Sequence, residues 1–153
     1  VPTVCLRFFN VYGPRQNPRS QYAAVVPRWV EAALSGRQPI LYGDGKQVRD
    51  FIYIDDLIQG IWLSAHHPGA VGEVYNLASG QRYSLWDLLH AIEEAVGRPL
   101  QPLMEPPRPG DIRRSYADIR KIQAHLGFQP QVSLKEGIRQ TVNAYSKEVA
   151  CTK

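Results

Sequence analysis

Apolar residues recur at helical spacing in some stretches of the chain and crowd into short unbroken runs in others. In "SLWDLLHAIEEAVGRP", which begins at Ser84, the residues Leu85, Leu88, Leu89, Ile92 and Val96 fall on one face at a 3.6-residue period. Ser84 with Asp87 makes a capping pattern at the start, and Gly97 followed by Pro99 stops the helix. Ser133 with Glu136 opens a second helix that carries Leu134, Ile138, Val142 and Tyr145 on one stripe. Three further helices are predicted from single signals. Asp55 or Asp56 is placed to cap one bearing Leu57, Ile58, Ile61 and Ala65, Pro27 suits the first turn of one running to Leu34, and Asp118 suits the cap of a short one ending at Gly127. Strands are predicted at Val4 to Phe9, Ile40 to Tyr42, Phe51 to Ile54 and Val74 to Leu77. Helices and strands alternate, so the class is α/β.

The opening run "VPTVCLRFFNVY" does not alternate apolar with polar residues. That pattern suits an inner strand of a parallel sheet, covered on both faces. With no initiator methionine ahead of it, the run reads as the middle of a protein. Over its 153 residues the chain is 44% hydrophobic and 21% charged, which points to an ordered globular domain. It has no apolar stretch long enough for a membrane helix and no signal-peptide layout at its start, so a cytoplasmic protein with no membrane partner is expected. Cys5 and Cys151 show no metal-ligand spacing and are expected to be free thiols. The formal charge of +4 favours anionic partners, phosphorylated metabolites before nucleic acid, since no basic stripe is interleaved with aromatics.

Candidate chemistry gathers beside turns. In "VRDFIYIDD", Arg49 enters just before a short strand and is therefore anchored on a rigid element. Asn10 ends the first strand, and Arg108 stands in "RPGD". Two guanidinium groups and an amide brought together would suit a pyrophosphate, because a planar guanidinium donates paired hydrogen bonds to phosphate oxygens. Taken singly, each arginine is as well explained as a solvated or ion-paired surface charge.

Four blocks, "LRFFNVYGPRQNP", "YGDGKQVRDFIYIDDL", "VYNLASGQRYSLWDLL" and "RPGDIRRSYADIRKIQAHLGFQP", resemble in order and separation the C-terminal half of the NAD-dependent sugar-nucleotide epimerase/dehydratase family, the extended short-chain dehydrogenase/reductases. The resemblance spans nearly the whole chain. It implies the C-terminal part of a Rossmann-type NAD(P)-binding fold, in which residues 1–14 and 74–80 add strands to the Rossmann sheet and the remainder forms a smaller mixed α/β substrate-binding domain. The N-terminal cofactor-binding portion would lie outside the chain. The implied ligand is a UDP-sugar, with Asn10, Arg49 and Arg108 at its diphosphate, Asp111 at the ribose hydroxyls, and Ala24 and Val25 offering backbone N–H groups at a helix start. Ile40 and Tyr42 would cup the uracil, and Phe9 would line the nicotinamide side of the NAD site. Ser115 matches a position near the sugar ring, where a small residue leaves room for an N-acetyl group. The stretch "RQNPRSQYAAVVPRW" also points to the UDP-hexose 4-epimerase branch, acting on UDP-glucose and UDP-galactose or on the N-acetylhexosamine pair.

Plainer readings stand beside these. Phe9 is also a core residue and Tyr42 an ordinary strand residue, Asp111 could cap a helix or pair with Arg113 or Arg114, and Ser115 could simply fill space. The glycine-rich cofactor turn of the family is not found: "GDG" at 43–45 has Val48 where the third glycine belongs. Nor is the family's helical tyrosine–lysine pair, since Tyr42 and Lys46 flank two glycines in a turn. His66, His67, His90 and His125 lack any carboxylate or cysteine pattern around them and are read as surface or packing residues. The chain is therefore expected to bind substrate without turning it over alone, and to need either the N-terminal half or a homo-oligomer partner. Alternatives are a dehydratase or decarboxylase of the same family, and a stand-alone nucleotide-sugar binding module.

Overall fold

The computed structural model of the chain describes residues 1–18 and 24–151. The stretch "RSQYA" at 19–23, part of the branch-suggesting segment, lies outside the described residues. In order, the elements are β1 (Cys5–Phe8), β2 (Asn10–Tyr12), α1 (Val25–Leu34), β3 (Ile40–Tyr42), β4 (Val48–Arg49), β5 (Phe51–Tyr53), α2 (Ile54–His66), β6 (Val74–Leu77), β7 (Tyr83–Ser84), α3 (Leu85–Val96), β8 (Leu103–Glu105), β9 (Arg114–Ser115), α4 (Arg120–Leu126) and α5 (Leu134–Cys151).

The strands are short and pair in small sets. β1 with β6, β2 with β5 and β3 with β8 are parallel pairs, while β4 lies between antiparallel β7 and parallel β9. All three residues of β5 are buried, and alternate side chains enter different cores because successive strand residues point to opposite faces. Phe51 and Tyr53 join Tyr12, Trp29, Leu88, Leu89, Ile92 and Ile138 between α1, α3 and α5. Ile52 joins Tyr75, Leu77, Ile122 and Phe128 under α2 and α4. Burial in the first core pushes the Tyr12 hydroxyl well above its ordinary pKa, and that hydroxyl donates to the Leu134 carbonyl at 3.4 Å.

The caps written in the sequence form at α3 and α5. Ser84 and Asp87 make the reciprocal capping box, Gly97 ends α3 in the left-handed conformation, and Ser133 Oγ accepts from the Glu136 N–H. Two capping expectations are corrected. Helix α2 starts at Ile54, so Asp55 and Asp56 lie inside its first turn, and no side chain caps it. The Asp56 carboxylate instead accepts from the backbone N–H groups of Gln131 (2.9 Å) and Val132 (3.0 Å), tying α2 to the segment ahead of α5. Asp118 accepts from the Arg120 N–H one position before the cap residue, Ile119.

The buried face of α2 also differs from the expected stripe. Leu57 is inside, but Ile58 and Ile61 are exposed, and Asp56, Gly60 and Ser64 are buried instead. The cause is the close approach of β6: a Cβ on Gly60 would stand 2.2 Å from Leu77 Cδ1, so only glycine fits against that side chain. The first strand departs from expectation as well. It ends at Phe8, Asn10 begins a separate strand paired with β5, and Cys5, Arg7 and Phe8 are exposed. Within this chain β1 has β6 as its neighbour and little cover on its faces. No helix among the described residues is long and apolar enough to cross a membrane.

Candidate functional site

Several elements end around one cavity of about 870 Å³. Its walls come from the N-terminal turn of α1, the strand β3, the turn into β4, the start of β2 and the loop before β9. Eight of the residues expected to touch ligand line it: Asn10, Ala24, Val25, Ile40, Tyr42, Arg49, Arg108 and Asp111. Phe9 and Ser115 are not among the residues that line it. Phe9 is half-buried against the core under α2, with its backbone N–H on the Leu77 carbonyl at 3.3 Å. Ser115 is the register partner of Arg49 across β9 and β4, and its carbonyl accepts from the Asp50 N–H.

Arg49 is held from three sides. One terminal nitrogen donates to the carbonyls of Val48 (2.9 Å) and Ile112 (2.6 Å), and the other to Asp111 Oδ1 at 2.6 Å. Those contacts use three of the five N–H donors of a guanidinium. Asp111 thus pairs with Arg49 and not with Arg113 or Arg114, and Arg113 makes a two-pronged contact with Asp44 instead. The Arg108 guanidinium lies over the Tyr42 ring, 3.8 Å from its centroid. Asn10 donates to the Asp50 carbonyl through both its side-chain amide and its backbone N–H, each at 3.1 Å.

The ten-residue α1 presents its start to the cavity with no side chain capping it, so its first N–H groups and the positive end of its dipole face the space. Four arginines and two carboxylates line the cavity, giving it net positive charge; Arg37 is paired with Glu31. The apolar part comes from Val25, Trp29, Ile40 and Leu103, with Trp29 Nε1 donating to the Ile40 carbonyl at 2.9 Å. A positive rim next to an apolar wall suits an anion attached to a flat ring.

Sequence reasoning passed over two residues that hold this arrangement. Asp50 is fully buried, and its carboxylate accepts from Ser79 N (2.8 Å), Ser79 Oγ (2.6 Å), Gly80 N (3.0 Å) and Ala117 N (3.4 Å). It stands in the quoted "VRDFIY", and an aspartate leading a wholly apolar strand was the signal that could have found it. Gln47 is the second, and a lone glutamine in a turn gives no such signal.

The turn at Gly43–Gly45 links β3 to β4, two strands, and the Asp44 carboxyl there is lowered to about 2 by hydrogen bonds from Arg113 and the Lys46 N–H. It is not the strand-to-helix turn that a dinucleotide pyrophosphate needs. Tyr42 ends β3 and Lys46 lies in the turn, so they share no helix face. The turn at 43–45 is therefore not a cofactor turn for NAD.

Residues 1–78, just over half of the chain, match the family described as NAD dependent epimerase/dehydratase. The chain belongs to the NAD-dependent epimerase/dehydratase family. It is 43% identical over 136 residues to the UDP-glucose 4-epimerase of Mycolicibacterium smegmatis, a match covering 89% of this chain and 43% of the relative. The UDP-glucose 4-epimerase of Thermotoga maritima, solved with UDP-glucose, superposes with a TM-score of 0.88 at 38% identity, over 94% of this chain and 46% of that one. A UDP-N-acetylglucosamine 4-epimerase from Methanobrevibacter ruminantium, in complex with UDP-N-acetylmuramic acid, gives 0.90 at 36%, over 97% and 47%. The chain spans just under half the length of these relatives. This family member thus has the fold of the matching part, just under half, of an extended short-chain dehydrogenase/reductase, and relatives in its NAD-dependent family include 4-epimerases, a decarboxylase and dehydratases. Family structures have been solved with NAD bound.

Proposed function

We propose that the cavity grips the UDP part of a UDP-sugar and that the chain serves NAD-dependent 4-epimerisation as its substrate-binding half. The observation that carries this is the meeting of Asn10, Arg49, Arg108 and Asp111 with the open start of α1 around one space. The two arginines approach the diphosphate from separate segments. Arg49 is already fixed by Asp111 and two carbonyls, so little side-chain entropy is lost when it takes a phosphate oxygen. The N–H groups of α1 and the Asn10 amide add neutral donors, Asp111 faces the ribose hydroxyls, and Ile40 with Tyr42 receives the uracil. Ser115, small and beside Arg49, leaves space for an N-acetyl group on the sugar, and Phe9 fronts the nicotinamide.

NAD, when bound by the family's enzymes, supplies reversible hydride transfer. The part that holds it and the general base lies outside this chain on this reading, because the turn at 43–45 does not suit the cofactor. What this chain contributes is orientation: a diphosphate locked between two guanidinium groups leaves the sugar few poses, and restricting pose lowers the barrier for a later step. The parallel β1–β6 pair is assigned to the Rossmann sheet, with its uncovered faces meeting an N-terminal portion or a partner copy, in a cytoplasmic enzyme. Action as a dehydratase is the second reading, favoured by the 36% identity to a Streptomyces griseus dTDP-glucose 4,6-dehydratase. Product analysis of an enzyme carrying this chain separates the two.

The test is calorimetric titration of UDP into the chain and its Arg108→Ala variant. A charge-assisted contact contributes about 1.5–3 kcal/mol, so the variant should bind UDP about 10- to 100-fold more weakly. Failure of UDP to bind, or equal affinities, would overturn the proposal.

A further inference from the structure

Gln47 is 5% exposed and lies against the cavity wall. Its Nε2 donates to the Tyr42 carbonyl at 2.6 Å and to Asp111 Oδ2 at 3.2 Å. Its Oε1 is buried and has no hydrogen-bond partner among the described residues. Both acceptors require N–H donors, so turning the amide over would not relieve the oxygen and would set it against two other oxygens. A buried carbonyl left unpaired is a cost that an apolar side chain of the same shape would avoid. The amide is therefore retained for its NH₂ group and what that group holds.

It holds one edge of Asp111. Arg49 takes Oδ1 and Gln47 takes Oδ2, so the two donors fix both the position and the plane of the carboxylate. With Arg49 alone, Asp111, whose side chain is 28% exposed, could pivot about a single ion pair. The second N–H ties the same amide to the end of β3, whose Tyr42 ring supports Arg108.

We propose that Gln47 is a positioning residue for the nucleoside part of the ligand: it fixes the plane of Asp111 so that the remaining lone pairs of the carboxylate meet the hydroxyl groups of a ribose. This rests on the nucleotide reading of the cavity. The diphosphate is read by the arginines and the α1 N–H groups: with that plane lost, Arg49 keeps its contacts to the Val48 and Ile112 carbonyls and Arg108 its place over the Tyr42 ring. Loss of the Gln47 amide therefore weakens a nucleoside diphosphate and spares a bare pyrophosphate.

The experiment titrates UDP and inorganic pyrophosphate into the unaltered chain, Gln47→Met and Gln47→Glu from about pH 5.5 to 8. Gln47→Met should bind UDP about tenfold more weakly at every pH and pyrophosphate within about twofold of the parent. In Gln47→Glu the introduced carboxyl faces Asp111 and the Tyr42 carbonyl, with Arg49 beyond Asp111 and Asp44, Lys46 and Arg113 on or against the turn. Two carboxylates that close do not both ionise readily, so the introduced group takes up a proton as the pH falls and regains a donor towards Asp111. Its UDP affinity should rise several-fold towards pH 5.5 relative to the parent. Equal losses of UDP and pyrophosphate in Gln47→Met, unchanged UDP binding, a pH profile of Gln47→Glu parallel to the parent, or loss of the fold by circular dichroism would each overturn the proposal. If the unaltered chain fails to bind UDP, the nucleotide reading of the cavity falls. If it binds, and Arg108→Ala weakens it while the Gln47 variants do not, only the role of Gln47 falls.

Discussion

Replacing Asp50 by asparagine tests how the site is held in place. The carboxylate accepts four hydrogen bonds, two on each oxygen, and its residue is wholly buried. An amide keeps the shape but offers one acceptor oxygen. Placed at its least costly, with the oxygen towards Ser79 and the nitrogen towards Gly80 and Ala117, it turns an NH₂ group against two backbone N–H donors. A buried donor left unpaired costs about 1–3 kcal/mol. The Gly80 contact at 3.0 Å counts in full and the Ala117 contact at 3.4 Å for less, which gives about 3 kcal/mol in total. That is more than a hundredfold in the folding equilibrium, out of a net stability of about 5–15 kcal/mol for a domain. With a urea dependence of about 1–3 kcal/mol/M, the unfolding midpoint of Asp50→Asn should fall by about 1–3 M. Ser79→Ala, which removes one hydroxyl donor and leaves the carboxylate three others, should cost about 1 kcal/mol. A midpoint for Asp50→Asn within about 0.3 M of the parent would refute the reasoning, since it would mean that the four contacts contribute almost nothing net.

Other outcomes follow from single contacts. In Gly45→Ala the new Cβ would stand 2.5 Å from Trp86 Nε1, which donates to the Asp44 carbonyl, at a backbone φ of +71°. Thermal denaturation should show a larger loss than in Gly72→Ala, where φ is +82° and no atom lies within 4 Å; equal losses would leave backbone strain as the whole effect. The carboxyls of Asp44, Asp118 and Glu136 are each lowered to about 2 by hydrogen bonds, chiefly from Arg113, Arg120 and Arg139 respectively. Because the folded values lie below the ordinary ones, the stabilisation is present above about pH 4–5 and is lost as the pH falls through about 2. The melting temperature should drop across that interval, less so in Arg113→Ala; a rise on acidification would contradict the assignment. Arg49→Lys removes the planar fork that bonds Asp111 and two carbonyls at once, and should weaken UDP binding about tenfold in calorimetry, whereas an unchanged affinity would make Arg49 a mere point charge.

Much of this was legible in the sequence where local rules decide. The α3 capping box, its Gly97 stop and the β3 and β6 strands follow from patterns a few residues long, so they form where expected. The cavity was legible through the resemblance of four blocks, which fixed which distant residues belong together; spacing alone could not bring Asn10, Arg49 and Arg108 to one place. What stayed hidden was set by tertiary contact. Asp56 looked like a cap because a cap and a bridge to Gln131 use the same carboxylate, and only packing decides between them. The exposed Ile58 and Ile61 depend on how near Leu77 comes to Gly60. Strands of two or three residues such as β4, β7, β8 and β9 are too short to leave a periodic trace. The partners of Gln47 and Asp111 depend on segments more than sixty residues apart in the chain.

The most direct measurement is a crystal structure of the chain, or of a longer protein containing it, with UDP bound. The account predicts diphosphate oxygens within hydrogen-bonding distance of both Arg49 and Arg108, uracil against Ile40 and Tyr42, and ribose hydroxyls on Asp111. UDP bound elsewhere on the chain, or bound in the cavity with the diphosphate turned away from both guanidinium groups, would contradict it.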